Sequence, residues 1–162
     1  MSSEPTNDIR TAETKLAGSV IHLRITSRRE FLDPVHNLTE QIVAQVGFSE
    51  DESYWMVTAV REAVTNALLH GNNERPGTFV EVEFELIPEG IRITITDQGE
   101  GFDPAALPDP VSREHLMSSS GRGVYLMQQL MDEVTFEFPA EGGTKLQMVK
   151  MLRPAGADEN VG

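Results

Sequence analysis

The chain has 162 residues, 39% hydrophobic and 24% charged, which is the size and composition of one globular domain and leaves little room for two. Lys and Arg number 13 against 26 Asp and Glu, and a net charge of −13 argues against a surface built to neutralise nucleic-acid phosphates or anionic lipid. There is no cysteine, so disulfide scaffolds, thiol catalysis and cysteine-ligated zinc are excluded. No basic start leads into an apolar core and no run of about 18 apolar residues occurs, so the expectation is a cytoplasmic protein without a membrane or nucleic-acid partner.

In chain order, residues 1–15 are polar, acidic and proline-broken, and 153–162 are small and polar; both are expected to be tails flanking a domain at 16–152. Ile21, Leu23 and Ile25 alternate with His22, Arg24 and Thr26 and predict a half-buried strand. Residues 31–46 place Phe31, Leu32, Val35, Leu38, Ile42, Val43 and Val46 at spacings of three and four, a helix that Gly47 ends. Ser49 or Asp51 can cap a second helix, whose stripe of Val57, Val60, Val64, Ala67 and Leu68 stops before Gly71-Asn72-Asn73. Val80, Val82, Phe84 and Leu86, then Pro88-Glu89-Gly90, then Ile91, Ile93 and Ile95 read as an antiparallel hairpin with one wet face. Residues 99–120 lose all periodicity, and an irregular stretch of that length inside a compact domain is usually functional. A third helix through Val124, Met127, Leu130, Met131 and Val134 is expected, with strand-like runs at 134–138 and 144–152 around Glu141-Gly142-Gly143. The expected class is α+β, a two-layer sandwich with helices on one face of a mixed, mostly antiparallel sheet.

Three places can carry chemistry. Glu62, Asn66 and His70 stand at i, i+4 and i+8, on one face of the second helix. A solvated polar face would account for them. Yet Asn is a poor helix former, and a carboxylate beside an amide oxygen suits Mg²⁺, which takes few protein ligands. Asp97-Gln98-Gly99-Glu100-Gly101 follows a strand end. A calcium loop is excluded, because glycines stand where oxygen-bearing side chains are needed. A plain turn, and a carboxylate acceptor for a base amine with glycines that let the backbone approach a flat ring, both remain open. Ser120-Gly121-Arg122-Gly123 opens the third helix, where unpaired N–H groups and the positive dipole end can receive phosphate; a flexible helix entry is the plainer account. The third glycine of a dinucleotide fingerprint and the Walker Gly-Lys-Ser/Thr ending are both missing.

Taken together, Glu-x3-Asn on a helix, Asp-x-Gly-x-Gly after a strand and Gly-x-Gly at a helix start resemble the GHKL ATPase superfamily and its Bergerat-type fold. Arg61-Glu62-Ala63-Val64-Thr65-Asn66-Ala67-Leu68-Leu69-His70-Gly71 and Ser120-Gly121-Arg122-Gly123-Val124-Tyr125-Leu126-Met127 resemble the anti-sigma-factor serine/threonine kinases of the RsbW and SpoIIAB type, over about residues 16–152. The resemblance implies ATP and Mg²⁺, with Asn66 as metal ligand, Glu62 as general base and Asp97 on the adenine amino group. It implies that Gly99 and Gly101 lie against the base, that Gly121 and Gly123 present N–H groups to phosphate, and that Thr144 supports Asp97. It also implies a sigma factor and a STAS-type anti-anti-sigma protein as partners, and a homodimer. The chain departs from the pattern at Ser119, where relatives often carry a basic residue; Arg122 is the nearby cation that can substitute. Two other functions remain: an ATP-binding partner switch without transfer, and a histidine kinase with His36 as acceptor, for which one short helix leaves no room for a dimerisation hairpin.

Overall fold

A strand can be wet on one face only if its other face is covered, and the central hairpin shows how this chain meets that condition. The computed structural model describes residues 16–100 and 119–153, with side chains described over 16–100 and 123–153. Strand β1 spans Val20–Thr26, β2 Phe79–Ile87, β3 Gly90–Thr96, β4 Glu133–Glu137 and β5 Lys145–Met151, in the sheet order β1-β2-β3-β5-β4. Every pairing is antiparallel, which corrects the expectation of a mixed sheet. The reason is topological: β3 and β4 run the same way, but β5 folds back and inserts between them.

Register puts apolar partners opposite one another, Val82 against Ile95 and Phe84 against Ile93, and all four are buried. Glu81, Glu83 and Glu85 fall on the other face by the period of two. Helix α1 (Leu32–Val46) and helix α2 (Glu50–Asn66) cover the apolar face through Val35, Ile42 and Val43 and through Met56, Val60, Ala63 and Val64. Phe31, expected in the apolar stripe of the first helix, lies instead in a 3₁₀ turn at Arg29–Phe31 and is 38% exposed. Pro34 lacks an N–H and so fits the first turn of α1, where N–H groups have no helical partner.

The α1–α2 connection is written in side-chain chemistry. Gly47 adopts φ +102 as the left-handed end of α1. Of the two candidate caps, Ser49 is the one used: its Oγ accepts from the Glu52 N–H at 3.2 Å, and Glu52 Oε2 accepts from the Ser49 N–H at 3.1 Å. Helix α3 (Ser119–Leu130) packs on α2 and buries Met127. Lys150, buried on β5, donates to the carbonyl of Leu130 at 3.0 Å and so places a cation at the C-terminal end of α3. Among the described residues no helix is long and apolar enough to cross a membrane. The expected tails and the proline-rich stretch from Gly101 to Ser118 lie outside the described residues, apart from Arg153.

Loss of the cap and loss of a core ring should separate cleanly in urea unfolding. Ser49→Ala is expected to cost about 1 kcal/mol. Phe84→Ala is expected to cost about 3–5 kcal/mol, because it empties a fully buried ring position in the core.

Candidate active site

Helix α2 carries the first residues of the site. Glu62 and Asn66, one turn apart, are both half-buried. After Asn66 the helix widens into a π-helical turn, Ala67–Gly71, closed by the Asn72 N–H on the Ala67 carbonyl at 2.8 Å. Such turns are rare and recur at functional sites. The extra residue breaks the i, i+4, i+8 line, so His70 does not continue the face of Glu62 and Asn66; it is exposed. The widened turn instead delivers Gly71 to the end of β3. A Cβ on Gly71 would lie 2.5 Å from both Cγ and Oδ2 of Asp97, so only glycine fits there.

Asp97 stands one residue beyond β3 and is only 8% exposed. Its Oδ1 accepts from the N–H of Gly99 at 3.0 Å and the N–H of Thr144 at 3.2 Å. Its own N–H donates to the Thr144 carbonyl at 3.0 Å, and the Gly143 N–H donates to the Gly99 carbonyl at 2.8 Å. Side chains at Gly99 and Gly143 would overlap the carbonyls of Gly71 and Asp97 respectively, and Gly143 has φ +84. Burial pushes the Asp97 carboxyl above its ordinary value, and the N–H groups of Gly99 and Thr144 offset only part of that shift. Oδ2 is the oxygen those two donors leave for other use.

At the other end of the site, Glu62 lies against Gly123, the fifth residue of α3, so closely that a Cβ there would overlap its carboxylate. Gly121 belongs to the same turn of α3. Gly101 and the side chain of Arg122 lie outside the described residues. Helix α2 and its π-turn therefore link two clusters, Glu62 with Gly123 and Gly71 with Asp97, and Asn66 lies between them in sequence. Among the described residues no three of His, Cys, Asp and Glu converge as a metal cage. His36, the alternative acceptor, sits on α1 with Nε2 3.4 Å from Glu40 and Nδ1 without a hydrogen-bond partner.

Gly71 and Asn72, which in the sequence pattern only end a helix, and Gly143, which only forms a turn, are thus part of the Asp97 surroundings. The signal was present in the doubled glycine: Gly142 and Gly143 both adopt positive φ, +104 and +84, beside the Asp97 loop.

The raised Asp97 carboxyl fixes a sign for pH dependence. At low pH both folded and unfolded forms are protonated; as pH rises the unfolded carboxyl ionises first, so stability is lost through the window from 3.8 up to the raised native value. Asp97→Asn keeps an oxygen for Gly99 and Thr144 and removes this penalty. Its melting temperature is expected to gain on wild type as pH is raised from about 4 to 7. An unchanging difference across that range would show that the carboxylate is not desolvated.

With the geometry in place, comparison with known proteins is specific. A family model described as a histidine kinase-like ATPase domain matches residues 25–150. The serine-protein kinase RsbW of Bacillus licheniformis is 30% identical over 151 residues, covering 90% of this chain and 93% of the relative. RsbW of Staphylococcus epidermidis is 30% identical over 141 residues, covering 82% and 87%. The SiaB–SiaC complex from Pseudomonas aeruginosa aligns with a TM-score of 0.61 at 13% identity, over 87% of this chain and 94% of that one. The RsbU and RsbW domains of a Mycobacterium tuberculosis protein align at 0.57 and 19% identity, over 85% of this chain and 34% of that one. The solved structures support the two-layer fold, and the sequence matches go further: the chain belongs to the histidine kinase-like ATPase domain family, among its RsbW-type serine-protein kinases.

Proposed function

We propose that this protein is a cytoplasmic, homodimeric anti-sigma kinase that sequesters a sigma factor and transfers the γ-phosphoryl group of ATP to a serine of a STAS-type anti-anti-sigma partner. The observation that carries the reading is the pair of clusters linked by α2: a buried carboxylate cleared by glycines at one end, and the Glu62 carboxylate packed on Gly123 of α3 at the other. The first has the chemistry of a base pocket. Asp97 Oδ2 accepts a hydrogen from the adenine amino group, and Gly99 and Gly101 allow backbone to approach the ring. Thr144 acts through its backbone, holding Oδ1 and the Asp97 N–H on opposite sides.

The second cluster has the chemistry of phosphoryl transfer, which asks a protein mainly for positioning and charge stabilisation. Gly121 and Gly123 present N–H groups of α3 to phosphate oxygens, and Arg122 supplies a positive charge on a chain whose net charge is −13. Glu62 takes the proton from the acceptor serine as its oxygen bonds to the γ-phosphorus and the bond to the ADP oxygen breaks. Asn66 Oδ1 would hold Mg²⁺ as a hard oxygen ligand, and the cation would supply neutralisation of phosphate charge.

Incubation with Mg²⁺ and γ-labelled ATP together with STAS-domain proteins encoded nearby tests the whole reading. Label is expected on a partner serine, reduced about 10²–10⁴-fold by Glu62→Gln. Asn66→Ala should lose transfer too, and Asp97→Asn should weaken ATP binding in calorimetry. Arg122→Ala should keep ATP affinity and lower transfer. Binding without label in any candidate would favour the partner switch without kinase activity, which Ser119 in place of a basic residue also suggests, and label on His36 would replace both.

A further inference from the structure

One buried polar side chain beside the site has no part in the chemistry above. Asn72, 1% exposed, follows the π-turn, and its side chain uses both ends. Nδ2 donates to the Phe79 carbonyl at 2.8 Å and to Ser27 Oγ at 2.7 Å, while Oδ1 accepts from the Gln98 N–H at 2.7 Å. Gln98 in turn accepts the Phe79 N–H on Oε1 at 2.7 Å. Asn72, Phe79 and Gln98 therefore close a hydrogen-bonded triangle that joins the end of α2 to the start of β2 and the exit of β3. Ser27, just past β1, extends it to a fourth element and also receives the Thr78 hydroxyl at 2.8 Å.

The position of this triangle gives it a consequence. Gln98 lies between Asp97 and Gly99, the residue whose N–H holds Asp97 Oδ1. Asn72 also follows Gly71, the surface on which the Asp97 carboxylate rests. Of the two contacts that orient Asp97 from this side, Gly71 is thus one residue from Asn72 and Gly99 is one residue from Gln98, whose N–H the Asn72 amide holds. Thr144 and Gly143 orient it from the other. Without the Asn72 amide, the Gln98 N–H and the Phe79 carbonyl lose their partners, and the loop must shift or admit water to satisfy them.

We propose that Asn72 is a positioning residue for base recognition: it fixes the direction of the Asp97 carboxylate and thereby sets the preference for an amino-bearing purine over an oxo-bearing one. This rests on the reading of Asp97 as the adenine acceptor. An amino group donates to a correctly aimed carboxylate, whereas the oxo group of guanine sets one acceptor against another, so discrimination depends on aim as well as on charge.

The test uses the full chain with ATP and GTP as probes in magnesium buffer. Asn72→Asp keeps the acceptor for Gln98 and loses the donor to Phe79. Gln98→Ala, at an exposed side chain, opens the same triangle and serves if the first variant does not fold. Thr39→Val, which removes a buried hydroxyl bonded to the Val35 carbonyl, is the control for stability alone. The expected result is a fall of about tenfold in ATP affinity with GTP affinity nearly unchanged in the triangle variants. Faster amide exchange at Gln98 and Gly99 in the ligand-free protein should accompany it, with Ile93 unaltered. The control should keep the ATP-to-GTP ratio. Equal losses for both nucleotides, or an unaltered ratio with unaltered exchange, would overturn the positioning role. If wild type itself shows no preference for ATP, or Asp97→Asn does not weaken ATP binding, the adenine reading of Asp97 falls, and this inference with it.

Discussion

A carboxylate resting on the bare Cα of a glycine organises this molecule. Asp97 leaves the sheet layer and Gly71 leaves the helix layer, and the two meet with no room for a Cβ between them. Burying the carboxylate is unfavourable and pushes its pKa up, and the N–H groups of Gly99 and Thr144 offset only part of that. A group held at such a cost marks a functional position more readily than a stabilising one. The three nearby glycines, the positive φ at Gly143 and the widened end of α2 all follow from the need to bring backbone up to that one side chain.

Helix α2 is the ruler of the site. Its first turn is fixed by the Ser49–Glu52 capping box and its apolar face is locked into the sheet, so its length has nowhere to slip. From Glu62 to Asn66 an α-helix rises about 6 Å. Past Asn66 the fit between helix and sheet end is reached by inserting a residue, and the π-turn absorbs the mismatch. The same insertion sends His70 to the surface and Asn72 inward.

The surface chemistry is separate from both. On the wet face of the sheet Arg24 pairs with Glu81 and Arg92 with Glu85, contacts that solvent weakens to a small contribution each. They offset part of the glutamate excess without neutralising the chain. Strong acidity of this kind disfavours a polyanionic ligand at long range, so affinity for one has to come from short-range donors.

Periodicity in the sequence was enough to read the hairpin, the two long helices and the layer that each apolar stripe must cover, because period and burial are local consequences of side-chain type. The spacing of Glu62, Asn66, Asp97 and the Gly121–Gly123 pair was likewise readable, and with it the family. Three things were decided only by tertiary structure. The sheet became wholly antiparallel because β5 inserts between β3 and β4, a choice of neighbour that strand patterns do not encode. The π-turn replaced a regular helix end because helix and sheet had to meet at Asp97, overriding the α-helical period that predicted His70 in line. Asn72 became a buried link among four elements because partners more than forty residues apart in one direction and more than twenty in the other, Ser27 and Gln98, are brought to its amide only when the layers pack. A hydrogen bond between distant residues leaves no periodic trace in a sequence; it exists only once the chain has closed the distance.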